Sequence, residues 1–550
     1  MMWFRFFGTL PTARSDSDGQ RKEEKSTVLV AESADLGRAV AAAVYHARTL
    51  AWKSGRVTTE YQAEEDSLCG EIHSQLENPE KWYDGLGFCT WNSLGQKLTE
   101  TKVLGALEAL SENNIQITSF IIDDNWQSID YEGQSQFQHG WLDFDAEPRT
   151  FPDGLKATVA KIREKHPHIQ HIAVWHALLG YWGGISPKGR LAKTYKTVEL
   201  PRVDDGLSLG DTMTVVGQED VARLYDDFYS FLSDAGIDAV KTDVQFMVDT
   251  WTSASARRTL LFTYLNTWNL AAMRHFSMRT ISCMSLFPQW LLYLQLSSSR
   301  PAYPVRSSDD YFPDVTASHP WHLWANAHNC ILLQSMNILP DWDMFQTAHE
   351  YAGFHAAARC VSGGPIYITD APGEHDVSII RQISGKTPRG TTIIFRPSVI
   401  GRAISPFVGY EDNALLKIGS YHGASETGTS IMGVFNVSDR PLTELIPLSS
   451  FSGTTDSKNT IKKQDNGRIL IDTRLKAVGV LGTYISCLPD LTIERDFMVS
   501  IQGQPVPVHT VKVSDQSCHV LEVDVETAWE EMELQVDWSN EVEVKINFGT

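Results

Sequence analysis

Between Leu86 and Asp370 one pattern recurs: a short apolar run ends in polar or aromatic residues, then gives way to a loop and a segment of helical period. The runs are LGFCTWN from Leu86, SFIIDD from Ser119, HIAVWHA from His171, DAVKTD from Asp238, TISCMS from Thr280, PVRSSDD from Pro304, ILPDWD from Ile338 and PIYITD from Pro365. The clearest helix between them carries Val221, Leu224, Tyr225, Phe228 and Phe231 on one face. Gln218, Glu219 and Asp220 suit its N-terminus and Gly236 its end. Another sets Val103, Leu104, Leu107 and Leu110 on one face. Continuous apolar runs are strands buried on both sides, and eight of them alternating with amphipathic helices predict a (β/α)8 TIM barrel. A doubly wound open sheet is the alternative, but no GxGxxG turn follows the first run. Chemistry in a barrel gathers at the C-terminal strand ends, where these runs place their Asp, Trp, Lys, Arg and His residues.

Beyond about Gly390 the texture changes to period-two alternation in short runs: TTIIFRPS, ALLKIG, SIMGVFNVS, RILIDT, GVLGTYIS, LTIERDFMVSIQG, HTVKV, CHVLEVDVE, MELQVDW and EVEVKINF. That predicts a C-terminal antiparallel β-sandwich. At the other end, Arg14 to Lys25 read as a disordered lead-in, Ser26 to Ala31 as a strand and Ala34 to Arg48 as a helix. The expected fold class is therefore α/β: a lead-in over 1–80, a catalytic barrel over 81–390 and a sandwich over 391–550.

Composition narrows the partners. Of 550 residues 42% are apolar and 21% charged, as in a globular protein, and the net charge of -21 argues against nucleic acid, which needs clustered cations. The seven cysteines are scattered, without the spacing of a zinc site or a disulfide framework, so neither a metal nor a cofactor is expected. Arg5 and Pro11 interrupt the apolar N-terminus, and no run is long enough to span a bilayer. The expectation is a cytoplasmic protein that binds neither membrane nor nucleic acid.

Asp243 stands where the apolar run DAVKTD stops, with Lys241 two residues before it on the same face. A cation there keeps a carboxylate ionised, and such a group can attack an anomeric carbon. A structural ion pair at the barrel rim explains the same residues equally well. Asp310 ends PVRSSDD beside Asp309 and Arg306, and retaining glycosidases need a second carboxyl about 5 Å from the first. Repulsion between adjacent carboxylates or burial can raise such a group toward neutrality. By itself the segment reads as a solvated loop. Asp123 and Asp124, followed by Trp126, suit a sugar's vicinal hydroxyls and apolar face. A metal is the rival, disfavoured without clustered His or further carboxylates. Trp175, Tyr181 and Trp182, and Asp341 with Asp343, extend this sugar-like composition, while His176 reads as a structural hydrogen-bonder and Cys283 as a buried lining residue.

Taken together and in order, GFCTWN, IIDDNWQ, VWHALLGYWGG, VKTDVQ, ISCMS, VRSSDD, PDWDMF and AARCVSGGPIYITD resemble the raffinose synthase and seed imbibition proteins, which group with family 36 α-galactosidases. The resemblance runs from about Lys81 to about Val434. It implies Asp243 as nucleophile, Asp310 as acid/base, and galactose contacts from Asp123, Asp124, Trp126, Trp175, Lys241, Cys283, Arg306 and Asp343. Two positions depart from the family pattern: Asn125 stands where glycine is usual, and Asn92 where plant members carry aspartate. Relatives also carry a β-sandwich domain before the barrel, and residues 28–48 look like its tail. The implied activity is galactosyl transfer from a donor such as galactinol to sucrose or another sugar acceptor. Hydrolysis by the same machinery is the alternative, and a truncated sugar-binding protein without turnover the second alternative.

Overall fold

A computed structural model describes residues 29–33, 36–53, 59–75, 82–203, 206–287, 290–291, 301–423, 428–446, 450–451, 460–463, 469–475, 480–485, 488–492, 496–514, 517–535 and 542–548. All eight apolar runs form strands. In chain order these and the strands between them are β1 (Gly87–Cys89), β2 (Ser119–Ile122), β3 (Gln127–Asp130), β4 (Gly140–Ala146), β5 (His171–Ala177), β6 (Thr197–Pro201), β7 (Thr212–Val216), β8 (Ala239–Asp243), β9 (Thr280–Ser282), β10 (Pro304–Arg306), β11 (Leu339–Asp341) and β12 (Tyr367–Ile368). Parallel ladders join them in the order β11-β10-β9-β8-β5-β2-β1-β12. A parallel bridge from Phe345, just past β11, to Ile368 of β12 closes the ring. Each consecutive strand pairs with its neighbour, as right-handed strand-helix-strand units require, so the fold is the TIM barrel.

The expected helices are present. Helix Val221–Asp234 buries Val221, Leu224, Tyr225, Phe228, Tyr229 and Leu232, and Gly236 beyond its end takes φ 86°, which glycine adopts without strain. Helix Glu100–Glu112 buries Val103, Ala106, Leu107 and Leu110, and the Thr99 side chain caps its N-terminus.

Two features of this compact unit, which comprises residues 1–360 and 364–395, escaped the pattern of hydrophobic positions. The loops after β2 and β5 fold into hairpins β3/β4 and β6/β7, joined by bridges from Trp141 to Ile185 and from Gly184 to Thr214. Helix Leu36–Lys53 answers the helix expected over Ala34–Arg48, and a second helix that the pattern did not predict, Thr59–Gln75, follows it. The second packs on helix Ala254–Phe276, where buried Asn269 donates to Tyr61 Oη at 2.6 Å and Glu65 Oε1 at 3.1 Å. Of the strand expected at Ser26–Ala31, residues 29–31 are described and are not a strand, while residues 26–28 and the expected lead-in lie outside the described residues.

The second compact unit comprises residues 361–363 and 396–550. Its described strands pair antiparallel in three sheets. Two of these face a shared core of Leu481, Phe497, Val499, Ile501, Val511, Leu521, Val523, Val542, Val544 and Ile546, a sandwich arrangement. The run MELQVDW is not a strand where described: helix Val525–Glu531, capped by Asp524, ends in a turn at Met532, and residues 536–541 lie outside the described set. No helix among the described residues is long and apolar enough to cross a membrane.

Candidate active site

Strand periodicity builds the site. Ile121, Ala173, Ala239 and Ile281 pack with Cys89, Met344 and Tyr367 in one buried cluster. Two residues further along each of these four strands the same face carries Asp123, Trp175, Lys241 and Cys283. Register sets Trp175 beside Lys241 and Ala177 beside Asp243. The apolar layer thus ends where the polar groups begin.

Lys241 Nζ lies 2.7 Å from Asp123 Oδ2, with both side chains only 3% exposed. The Cys89 thiol donates to the same carboxylate oxygen at 3.2 Å, and Asp124 N–H to the other at 2.9 Å. Asp124 itself accepts from Asn125 N–H at 2.7 Å, from the Trp182 indole at 3.4 Å and from the Tyr181 hydroxyl. Burial, and then the neighbouring Asp123 charge, push the Asp124 carboxyl up to about 7.

Asp243 is held at both oxygens: the Trp175 indole donates to Oδ2 at 2.9 Å and the Val244 amide to Oδ1 at 2.6 Å. The second bond needs Val244 at φ 58°, a left-handed conformation that a β-branched residue adopts only under constraint. Burial raises the Asp243 carboxyl, Lys241 opposes that rise and the charge of Asp310 adds to it. These groups therefore share one electrostatic environment.

Arg306 is the hub of the opposite wall. Its Nε lies 3.1 Å from Asp341, one terminal nitrogen 2.8 Å from Asp310, and the other 2.5 Å from Asp343 and 3.0 Å from Tyr367 Oη. Arg306, Asp341 and Asp343 are fully buried, whereas the Asp310 side chain is 22% exposed. Burial first raises the Asp343 carboxyl, to about 6, against the pull of Arg306. The nearest partner of Asp310 is thus Arg306, not the adjacent Asp309, which is exposed.

The structure therefore gathers Asp123, Asp124, Trp175, Lys241, Asp243, Cys283, Arg306, Asp310 and Asp343 around the C-terminal ends of β2 to β11. Trp126 is the exception. Asn125 at φ 73° turns the chain so that the Trp126 ring enters the apolar core, fully buried, with its N–H donating to the Trp175 carbonyl at 2.7 Å. It braces the site from the core side. His176 is also structural, bonded to Tyr229 Oη at 2.9 Å and Thr242 Oγ1 at 3.0 Å, and burial pushes its ring down to about 4. Cys89 and Tyr367 were not singled out as site residues, and Asp341 was noted only for its place beside Asp343 and not as a galactose contact. Their signal was positional: each ends a barrel strand or lies on the same inward face as a chosen residue. Among the described residues no cluster of three metal-type side chains could hold an ion; the carboxylates converge on Lys241 and Arg306 instead.

Residues 71–437 match the family model described as raffinose synthase or seed imbibition protein Sip1. The chain belongs to this family. Within it, a probable galactinol-sucrose galactosyltransferase 6 of Arabidopsis thaliana is 30% identical over 381 residues, 64% of this chain and 49% of that protein. A galactinol-sucrose galactosyltransferase of Oryza sativa subsp. japonica is 29% identical over 58% of this chain and 44% of its own length. A stachyose synthase of Pisum sativum is 27% identical over 42% of this chain and 29% of its own. The chain spans about half the length of the first of these relatives and less of the other two. Among solved structures, α-galactosidase I from Mortierella vinacea has a TM-score of 0.39 at 12% identity, covering 86% of this chain and 98% of that one. The family-pattern departures of this raffinose synthase and seed imbibition protein family member have a local reading. Asn125 stands where glycine was expected and takes the left-handed conformation that Asn tolerates better than most side chains. Asn92 donates to the Tyr311 carbonyl at 3.1 Å, a bond that an aspartate could not donate.

Proposed function

We propose that this protein is a retaining α-galactoside-active enzyme that transfers galactosyl units to a sugar acceptor through a covalent Asp243 intermediate. The observation that carries the reading is Asp243 itself, held at both oxygens by Trp175 and Val244 and within electrostatic reach of Asp310. Asp243 attacks the anomeric carbon while Asp310 protonates the departing oxygen; Asp310 then takes a proton from the incoming hydroxyl as that oxygen displaces Asp243. Asp123, Asp124 and Lys241 line the subsite for the galactose hydroxyls, with Trp175, Cys283, Arg306 and Asp343 completing its walls.

The names of the relatives favour transfer over hydrolysis. Geometry adds a second reason. Trp182, packed edge-on to Phe137 at 5.1 Å and reaching Asp124, walls the subsite from the fused loop hairpins, which limits water at the intermediate. Hydrolysis remains the outcome when no sugar occupies the acceptor position. The domain roles proposed are catalysis in the barrel, over 81–390, and support from the sandwich, over 391–550. A cytoplasmic setting agrees with the buried free thiols of Cys69, Cys89, Cys283 and Cys330.

The test is donor-dependent. Asp310→Ala should damage turnover of galactinol or raffinose far more than that of an activated nitrophenyl α-galactoside, whose remaining loss azide should partly rescue by attacking the glycosyl-enzyme. Equal damage to both donors, with no azide adduct, would remove Asp310 from the acid/base role.

A further inference from the structure

We propose that Tyr367 is a positioning residue for this reaction: its buried hydroxyl joins Asp341 to Arg306 and thereby fixes the guanidinium that aims Asp310. The inference rests on the acid/base reading of Asp310.

Tyr367 begins β12, the strand that closes the barrel, and its ring belongs to the buried interior cluster. Its hydroxyl lies 2.8 Å and 3.0 Å from the two oxygens of Asp341, 3.4 Å from Asp343 Oδ1 and 3.0 Å from a terminal nitrogen of Arg306. A phenol has one proton to give, and Arg306 has none to accept. The hydroxyl therefore accepts from Arg306 and donates to a carboxylate, and distance selects Asp341. Three carboxylates, Asp310, Asp341 and Asp343, compete for this one guanidinium. Asp341 is fully buried and cannot turn to water. Without the phenolic proton it keeps only Arg306 and the Asp343 amide, 2.9 Å from Oδ1, as donors and draws more heavily on Arg306, whose own nitrogen loses an acceptor at the same moment. A guanidinium is a rigid plane, so a tilt at the Asp341 and Tyr367 side displaces the nitrogen that holds Asp310 2.8 Å away. Only Asp310 among the three is partly open to solvent, so it is the group free to move.

Aim matters to an acid only while the leaving group needs a proton. Tyr367→Phe, which removes one oxygen, should therefore lower kcat for raffinose by about tenfold or more, a part of the 10²–10⁴ that acid-base catalysis supplies. KM should stay near its wild-type value. With a nitrophenyl α-galactoside and azide, where neither acid nor base help is needed, turnover should remain within about threefold of wild type. A merely structural loss would lower both donors alike. Asp341→Asn keeps the phenol but weakens its acceptor, and should give the same split between donors if the hydroxyl works through Asp341. Thermal unfolding and galactose titration calorimetry on both variants check that the pocket persists. Asp310→Ala, measured beside them, separates the two claims. If it shows the split and both other variants lack it, the role of Tyr367 is overturned while the acid/base reading stands. If Asp310→Ala lacks the split, both fall together.

Discussion

Asp124→Asn offers a measurement of what the site withdraws from stability. Asp124 is 4% exposed. Burial first and the Asp123 charge second raise its carboxyl from 3.8 to about 7 in the folded protein. A group with a raised folded pKa contributes stability that is fully present below its unfolded value and is lost as pH rises through the folded one. The window here is therefore about pH 4 to pH 7. At 1.36 kcal/mol per unit, linkage makes this one carboxyl withdraw about 2–3 kcal/mol between pH 5 and pH 8. Asparagine does not titrate, so the variant should lose that much less over the same interval. Its absolute stability is a poorer readout. Asp124 accepts from Asn125, Tyr181 and Trp182, and an amide offers one acceptor oxygen, so a mismatched donor costs about 1–3 kcal/mol at every pH. Denaturant titrations of both proteins at pH 5 and pH 8, followed by tryptophan fluorescence, supply the four numbers. All but two of the sixteen tryptophans precede residue 361, so the signal reports on the barrel unit. An equal fall in stability from pH 5 to pH 8 in both proteins would refute the reasoning.

Removing the cation has the opposite sense. Lys241→Met leaves the Asp123 charge buried without its partner and should cost about 3–5 kcal/mol at pH 8, less in the Asp123→Asn background; additive losses in that cycle would show that the pair is not coupled. Asn125→Gly should fold with little change because both residues accept φ 73°, whereas Asn125→Val should lose about 1–2 kcal/mol or more, measured by the same denaturant titration. Asp243→Asn should abolish nearly all turnover while galactose binding by calorimetry persists; near wild-type turnover would exclude it as nucleophile. Trp182→Ala should raise the ratio of free galactose to transfer product. Trp141→Ala, in the hairpin β3/β4, should instead lower stability, because Trp141 is 2% exposed and packs on Phe144 and Phe228.

The barrel was legible because its signal is local. LGFCTWN and HIAVWHA are largely apolar without alternation, as suits a strand covered on both faces, and eight short runs alternating with helical segments announced eight strands. The same runs marked the site, since a polar residue two positions past an inward apolar one must sit at the strand's open end. Asp123 and Lys241 follow Ile121 and Ala239 in that way, and Asp243 continues the face two residues past Lys241. What each polar residue faces was another matter, because partners come from strands far apart in the chain. Asp123 and Lys241 are 118 positions apart, yet their charges meet at 2.7 Å. Arg306 meets Asp341 and Tyr367 only because β10, β11 and β12 close one ring. Trp126 shows the limit most clearly: composition allows a sugar platform or a core residue, and the left-handed turn at Asn125 sends the ring inward. The hairpins β3/β4 and β6/β7 each close on their own ladder, but the bridges that link them, Trp141 to Ile185 and Gly184 to Thr214, join segments from two separate loops. Periodicity along one strand decides which way a side chain points; closure of the barrel decides what it meets there.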